Sequence, residues 1–428
     1  MTNVSPQPAT AEQALRVPYK VFTDKAYLEL ENERIFRGKV WAYVALEAEI
    51  PEPGDYKATH IGLSPVIVTR AEDGSIHVME NRCAHRGALV CEQRYGNASS
   101  LQCVYHQWDY NLKGELNGVP FLRGVRGKGG MCKPFDKSRH GLTKLRVATL
   151  NGIVFASFSD EVEPLEEYLG PVAVEIIKRN CKRPLRLLGF QRQRIHSNWK
   201  LAAENSRDPY HAGLLHLFLN TFGLWRNTSE SASIQLDRTG RHCLLATELH
   251  TDEEAAEHAS QAQHAYNPEF TLRDSSVVQS QREFDDNINL VVLSIFPNLV
   301  VHQLGNALST RHVIPIGEDE FEMVWTQFGF VDDDEELEQL RITHGNLIGP
   351  SGYVSLEDGD AMERVQRSVS HDKDSTSFMG MVDQNTRSMD YFVTENPIKG
   401  FWQYYQQTLG LDADFHIPEP SQAASSGA

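Results

Sequence analysis

Cys83-Ala84-His85 and Cys103-Val104-Tyr105-His106 stand seventeen residues apart and offer two thiols and two imidazoles. Two cysteines on one iron and two histidines on the other are the ligands of a [2Fe–2S] cluster whose potential is raised, because neutral imidazole replaces charged thiolate. Gly87 lies two residues past His85, where a tight ligand loop can turn, and Gln107-Trp108 follows His106. The pattern predicts that both pairs sit on hairpin-like loops. The same donors could close a tetrahedral zinc site, although the usual zinc spacings pair Cys with Cys and His with His. A Cys83–Cys103 disulfide has less support, since six cysteines in 428 residues is sparse and nothing resembles a secretory signal. Cys91, Cys132, Cys181 and Cys243 have no paired spacing, which predicts buried free thiols.

A second constellation is Asp208-Pro209-Tyr210-His211 with His216. Two nearby histidines and a carboxylate from elsewhere form the facial triad that holds mononuclear Fe(II) and leaves positions open for O₂. Asp208 and His211 are three apart, the spacing of a shared helical face. His211 and His216 are five apart, and an ideal helix separates such residues by about 140°. Both can face one metal only if the helix breaks or over-winds, a π-type turn being the usual device. The residues alone leave other readings open: a hydrogen-bonded core histidine beside Leu214, Leu215 and Leu217, and Asp208 as a cap. Glu357-Asp358-Gly359-Asp360, which opens the helical run from Ala361 to Ser370, could supply the carboxylate or simply favour a helix N-terminus by its charge.

The elements that must position these groups fall into an α+β pattern. Residues 1–36 are a Pro/Ala/Ser-rich tail followed by a helix over 24–36 that packs with the catalytic domain. Residues 37–158 read as a small all-β domain of short strands such as Ser64–Arg70, Ser75–Glu80 and Gly152–Phe158. Residues 159–420 carry longer elements: a helix opening at Val162–Leu169 and strands at Leu290–Phe296 and Phe321–Phe330. Within them Thr251–Gln281 is polar and predicts a surface excursion or lid, and residues 421–428 predict a disordered tail. The chain is 40% hydrophobic, ample for a large core. Its 58 acidic against 41 basic side chains, a net charge of -17, argue against nucleic acid, which needs a concentrated basic face. No apolar run approaches the ~18 residues of a membrane span, so the cytoplasm is the expected compartment.

Cys-x-His-x₁₇-Cys-x₂-His, then Asp-x₂-His-x₄-His and a downstream Asp-Gly, resembles the large (α) subunit of the Rieske non-haem iron aromatic-ring-hydroxylating oxygenases, from Arg16-Val17-Pro18 to Gly400-Phe401-Trp402. Glu204-Asn205-Ser206-Arg207-Asp208-Pro209-Tyr210-His211, Val119-Pro120-Phe121 with Gly129-Gly130-Met131, and Ser309-Thr310-Arg311-His312 make it most similar to the salicylate 5-hydroxylase, anthranilate dioxygenase and terephthalate dioxygenase group.

The resemblance implies that Cys83 and Cys103 bind one cluster iron and His85 and His106 the other. It implies His211, His216 and Asp358 as ligands of the mononuclear iron. Asp208 would be no ligand but a bridge from His211 to His106 of a neighbouring chain, the kind of carboxylate partner a ligating histidine normally has. A Rieske domain, a helix-grip catalytic domain with an antiparallel sheet around a long helix, and a cyclic trimer are implied with it. Asn205 and Val354 fall at pocket positions. The naphthalene-type enzymes place one more residue between that Asn and the bridging Asp, and bulkier residues at the Val354 position. Arg311 is the natural partner of a substrate carboxylate, because a guanidinium pairs with one bidentately, or else a structural ion pair. No equally clear second basic residue is present, which argues against a dicarboxylate. Neither a dinucleotide-binding fingerprint nor a plant-type ferredoxin cysteine pattern occurs. NAD(P)H electrons would therefore arrive through a separate reductase and ferredoxin, and a small β subunit in an α₃β₃ assembly is implied. The function expected is O₂-dependent hydroxylation of an aromatic acid such as salicylate or anthranilate. The alternatives are a terephthalate or other substituted-benzoate dioxygenase, or an electron-transfer protein whose mononuclear site is empty.

Overall fold

Runs of β-branched and aromatic residues between Trp41 and Phe158 are cut by Gly, Pro or Asn before they grow long, so they form short strands. The computed structural model describes residues 14–224, 232–248, 267, 269–383 and 387–418, and it arranges these strands in three small antiparallel sheets. One joins Ala42–Leu46, Ile153–Ser157 and Arg146–Leu150. Its hairpin turns at Asn151-Gly152, both with positive φ (47° and 85°), the conformation that matches strand twist in a two-residue loop. A second joins Ile76–Glu80, Ser64–Arg70, Asp55–Ile61 and Tyr95–Asn97. The third, Leu101–Gln102, Asp109–Tyr110 and Leu116–Gly118, carries the second Cys/His loop. Cys83 and Cys103 lie in a small core of their own with Met79, Trp108, Tyr110 and Leu142.

The longer elements build one antiparallel sheet of eight strands among the described residues. Its order is Leu185–Ile195, Phe321–Phe330, Ala307–Pro315, Leu299–Leu304, Ile288–Ile295, Cys243–Glu248, Ala232–Leu236, Ser388–Met389. The helices Trp199–Asn205 and Ser355–Val369 pack on each other, and the second also meets the strand Leu185–Ile195. The sheet and these helices line a cavity between them. Of the expected excursion, residues 269–281 contain one short 3₁₀ turn, Ser275–Val278, and most of the rest lies outside the described residues, as does the tail 421–428. Cys181 and Cys243 are buried free thiols, but Cys91 is only half-buried and Cys132 is exposed, on a Gly-rich loop that turns its neighbours Met131 and Phe135 to the core around Cys83 and Cys103 instead.

The N-terminal helix Lys25–Glu31 continues as a π-helical turn, Asn32–Phe36, and is fastened to the catalytic domain by charge. Glu31 is fully buried; it accepts from Lys200 Nζ, Trp199 Nε1 and Tyr405 OH, each at 2.6 Å. Burial pulls the Lys200 pKa down, and the Glu31 carboxylate opposes that shift. Glu31→Ala would leave an uncompensated buried ammonium, so urea unfolding should show a loss of about 3 to 5 kcal/mol; a loss under about 1 kcal/mol would show the pair to be dispensable.

Candidate active site

The two Cys/His loops are built alike. In each, the first cysteine N–H donates to the carbonyl five residues on (Cys83 to Ala88, Cys103 to Trp108), and the amide four residues on donates back to the cysteine carbonyl. The residue at that fourth place has positive φ: Gly87 at 78° in the first loop, Gln107 at 55° in the second. Only the second is a true hairpin, between the paired strands Leu101–Gln102 and Asp109–Tyr110. The first connects Ile76–Glu80 to Tyr95–Asn97, strands that do not pair with each other, so its hairpin expectation fails.

Both cysteines are buried and both histidines half-buried. The His85 and His106 rings meet edge to face at 4.6 Å, and His85 stacks on Trp108 at 4.7 Å. Tyr110 OH lies 3.2 Å from Cys83 Sγ, and His85 Nδ1 is buried with no hydrogen-bond partner. Burial raises the Cys103 pKa, so a thiolate there needs positive charge beside it. Two buried sulfurs near enough to interact with each other and two imidazoles in ring contact, one with an orphaned ring nitrogen, fit a [2Fe–2S] cluster.

The second centre begins at Asn198, whose side chain caps Lys200 N–H and starts the helix Trp199–Asn205. The chain then leaves helical form: Asp208 accepts from Tyr210 N–H at 2.9 Å in a turn at Pro209. Asp208 and His211 therefore meet across a turn and not on a helical face. A single helical turn, Ala212–Leu215, follows and breaks at His216 (φ -77°, ψ 85°) before Leu217–Thr221. This break, in place of a π-type turn, aims both histidines at one point.

At that point stands Asp358, in the first turn of Ser355–Val369, where the helix dipole favours a carboxylate. Its Oδ1 lies 3.4 Å from His211 Nε2 and 3.6 Å from His216 Nε2, and one donor atom from each of the three residues lies within 4.8 Å of the others. Asn205 Nδ2 donates to Asp358 at 3.0 Å. The outer ring nitrogens face carboxylates as well: His211 Nδ1 is 3.2 Å from Asp208, without hydrogen-bond alignment, and His216 Nδ1 is 3.2 Å from Glu357. Burial disfavours charge on His211, but Asp208 and Asp358 override it and push its pKa up to about 10. Burial likewise opposes ionisation of Asp358, yet the two histidines and Asn205 hold its pKa well below the usual carboxylate range. Inner nitrogens converging on a carboxylate, with carboxylates beside both outer nitrogens, fit a divalent metal.

A cavity opens onto this triad. Asn205, Val354 and Arg311 line it, as do Asp208 and the three triad residues. Arg311 is buried; its guanidinium lies 4.1 Å over the Trp325 ring, its Nε has no partner, and no carboxylate of the described residues forms an ion pair with it. Burial lowers its pKa to about 10, against the field of Asp358, which leaves it a cation. Sequence reasoning missed Glu357, which also accepts from Leu217 N–H at the restarted helix; Trp108 and Tyr110 in the cluster wall; and His302, a strand residue lining the cavity. The acidic pair Glu357-Asp358 and the Trp two places after His106 were visible signals, whereas nothing around His302 marks it.

Comparison with known proteins agrees with both centres. Residues 40–128 match the Rieske [2Fe-2S] domain, and residues 181–410 the ring hydroxylating alpha subunit (catalytic domain). The chain belongs to the Rieske ring-hydroxylating oxygenases. It is 46% identical to the anthranilate 1,2-dioxygenase large subunit of Burkholderia cepacia over 92% of this chain and 93% of that one. It is 40% identical to the terephthalate 1,2-dioxygenase terminal oxygenase component subunit alpha 2 of Comamonas sp, over 93% and 96%. With the salicylate 5-hydroxylase large oxygenase component of Ralstonia sp it shares 42% over 93% and 95%. The structure superposes on naphthalene 1,2-dioxygenase from Rhodococcus sp. with a TM-score of 0.75, covering 92% and 94% of the two chains at 24% identity, a likeness of fold. This ring-hydroxylating oxygenase is thus a terminal oxygenase α subunit, with a Rieske cluster and a mononuclear iron as its cofactors. Among the described residues no helix is long and apolar enough to cross a membrane.

Glu357→Ala removes the partner of His216 Nδ1 and the acceptor of Leu217 N–H. Iron retention at the mononuclear site under chelator challenge should weaken roughly 10- to 100-fold with cluster absorption unchanged; unaltered retention would show that Glu357 does not orient His216.

Proposed function

We propose that this α subunit hydroxylates the ring of an aromatic carboxylic acid such as salicylate or anthranilate, holding the substrate carboxylate on Arg311. The observation that carries the proposal is a buried guanidinium, without an ion-pair partner among the described residues, in the cavity of the proposed metal triad. Such a charge is costly to leave unpaired, and an aromatic acid brings the complementary charge on an apolar ring. Arg311 is the one Arg or Lys lining the cavity among the described residues, so a dicarboxylate would leave its second charge unmatched, which disfavours a terephthalate-like substrate.

In this reading His211, His216 and Asp358 hold the mononuclear iron, and Cys83, Cys103, His85 and His106 the cluster. When bound, the two groups supply O₂ activation with electrons that originate in NAD(P)H and arrive through a separate reductase and ferredoxin. Asn205 fixes the Asp358 carboxylate and Asp208 orients His211. Leu245, Leu290, Val292, Ile348, Val354 and Phe392 give an apolar wall that receives the ring and excludes water. Asp208 also stands as the proposed link to His106 of a neighbouring copy, in a trimer completed by a small β subunit, in the cytoplasm. The convergence of the triad on one point weighs against a purely electron-transferring protein.

Turnover of a panel of aromatic acids and their neutral analogues tests the reading. Arg311→Leu should lower kcat/KM for the acid roughly 10²- to 10³-fold and for a neutral analogue far less. An equal loss for both, with iron content intact, would make Arg311 structural.

A further inference from the structure

Among the described residues His302 Nδ1, Ser309 Oγ, Arg311 Nε and Trp325 Nε1 are buried without a hydrogen-bond partner, and all four belong to one patch of the catalytic sheet. His302 stands directly opposite Ser309 on the adjacent strand, and Arg311, two residues along from Ser309, stands opposite Trp325. Strand alternation puts the four on one face. The Arg311 guanidinium covers the Trp325 ring, and the His302 ring meets the same indole edge-on at 6.2 Å. His302 is 4% exposed and lines the same cavity as Arg311 and Asp358. Buried polar groups are nearly always paired, and of these four residues His302 and Arg311 also line the cavity, which marks where a bound molecule can supply partners. The carboxylate on Arg311 leaves His302 unaccounted for. Burial, and then the Arg311 charge, hold its imidazole well below its ordinary pKa, so it presents one N–H donor and one acceptor nitrogen.

We infer that His302 hydrogen-bonds a heteroatom on the ring carbon next to the substrate carboxylate, which makes the preferred substrates benzoates with an ortho amino or hydroxyl group. The inference rests on the Arg311 reading above. His302 and Arg311 are diagonal neighbours on paired strands, with backbones about 7 to 8 Å apart, a separation their side chains span while both lean on Trp325. A ligand that engages both must carry its two polar groups side by side. A group across the ring is carried away from His302.

Calorimetric binding of 2-aminobenzoate, 2-hydroxybenzoate, benzoate and 4-aminobenzoate to the holoenzyme tests this without relying on turnover. The wild type should bind the two ortho acids roughly tenfold tighter than the other two. His302→Phe should reduce the ortho acids to the affinity of benzoate and leave benzoate within about twofold, while His302→Gln, which keeps a donor and an acceptor, should retain part of the preference. Equal wild-type affinity for all four acids, or an equal loss for all four in His302→Phe, would overturn the inference. Arg311→Leu, measured in parallel, separates the two failures. If it weakens every acid while the ortho preference is absent, the carboxylate anchor stands and the His302 subsite falls. If it weakens none, the reading beneath both falls.

Discussion

A carboxylate buried where Asp358 lies would take up a proton unless positive charge and hydrogen-bond donors were gathered around it, and the catalytic half of the molecule is arranged to gather them. The carboxylate comes from the first turn of a long helix, the imidazoles from a segment that leaves helical form at Pro209 and breaks again at His216, and the amide of Asn205 from the end of a third helix. None of these elements could place its group alone. The sheet holds the helices at the required spacing and adds, from its own face, the Arg311 cation whose field reaches the same carboxylate. Fold and site are thus linked by charge compensation: remove the buried cationic or donor partners and the site loses the ionised carboxylate that defines it.

The cluster domain solves a different problem with shorter elements. Its two loops repeat one hydrogen-bond pattern, which points each cysteine inward to a small apolar core and leaves each histidine half-exposed. Sulfurs gain a low-dielectric setting, and the imidazole side stays near the surface, where electrons can be exchanged. The two halves share their larger core: Tyr43 of the first sheet exchanges backbone hydrogen bonds with the Asn298 side chain and reaches Thr310 on the catalytic sheet. This contact holds the cluster domain directly against the strand that bears Arg311.

Much of this was legible in the chain. Cys83, His85, Cys103 and His106, the proposed cluster ligands, announce themselves because a cluster would draw its ligands from two short loops, so chemistry and sequence spacing coincide. His211 and His216 were readable as a pair, and the need for a helix break between them followed from geometry; its kind did not, because an abrupt change of ψ at His216 depends on Glu357 taking up the freed amide of Leu217. Asp208 was misplaced on a helical face because Pro209 and the Asx-type turn outweigh the three-residue spacing. Cys132 was expected to be buried by residue type, but its loop turns Met131 and Phe135 to the core and leaves Cys132 at the surface. His302 left no trace because its meaning comes from cross-strand register, which a local pattern does not encode.

Both metal centres must be present and independent for the account to hold, and iron stoichiometry read against the visible spectrum tests that most directly. The wild-type protein should hold about three irons per chain, and His216→Ala about two with the cluster absorption unchanged. About two irons in the wild type, or loss of the cluster spectrum in His216→Ala, would contradict it.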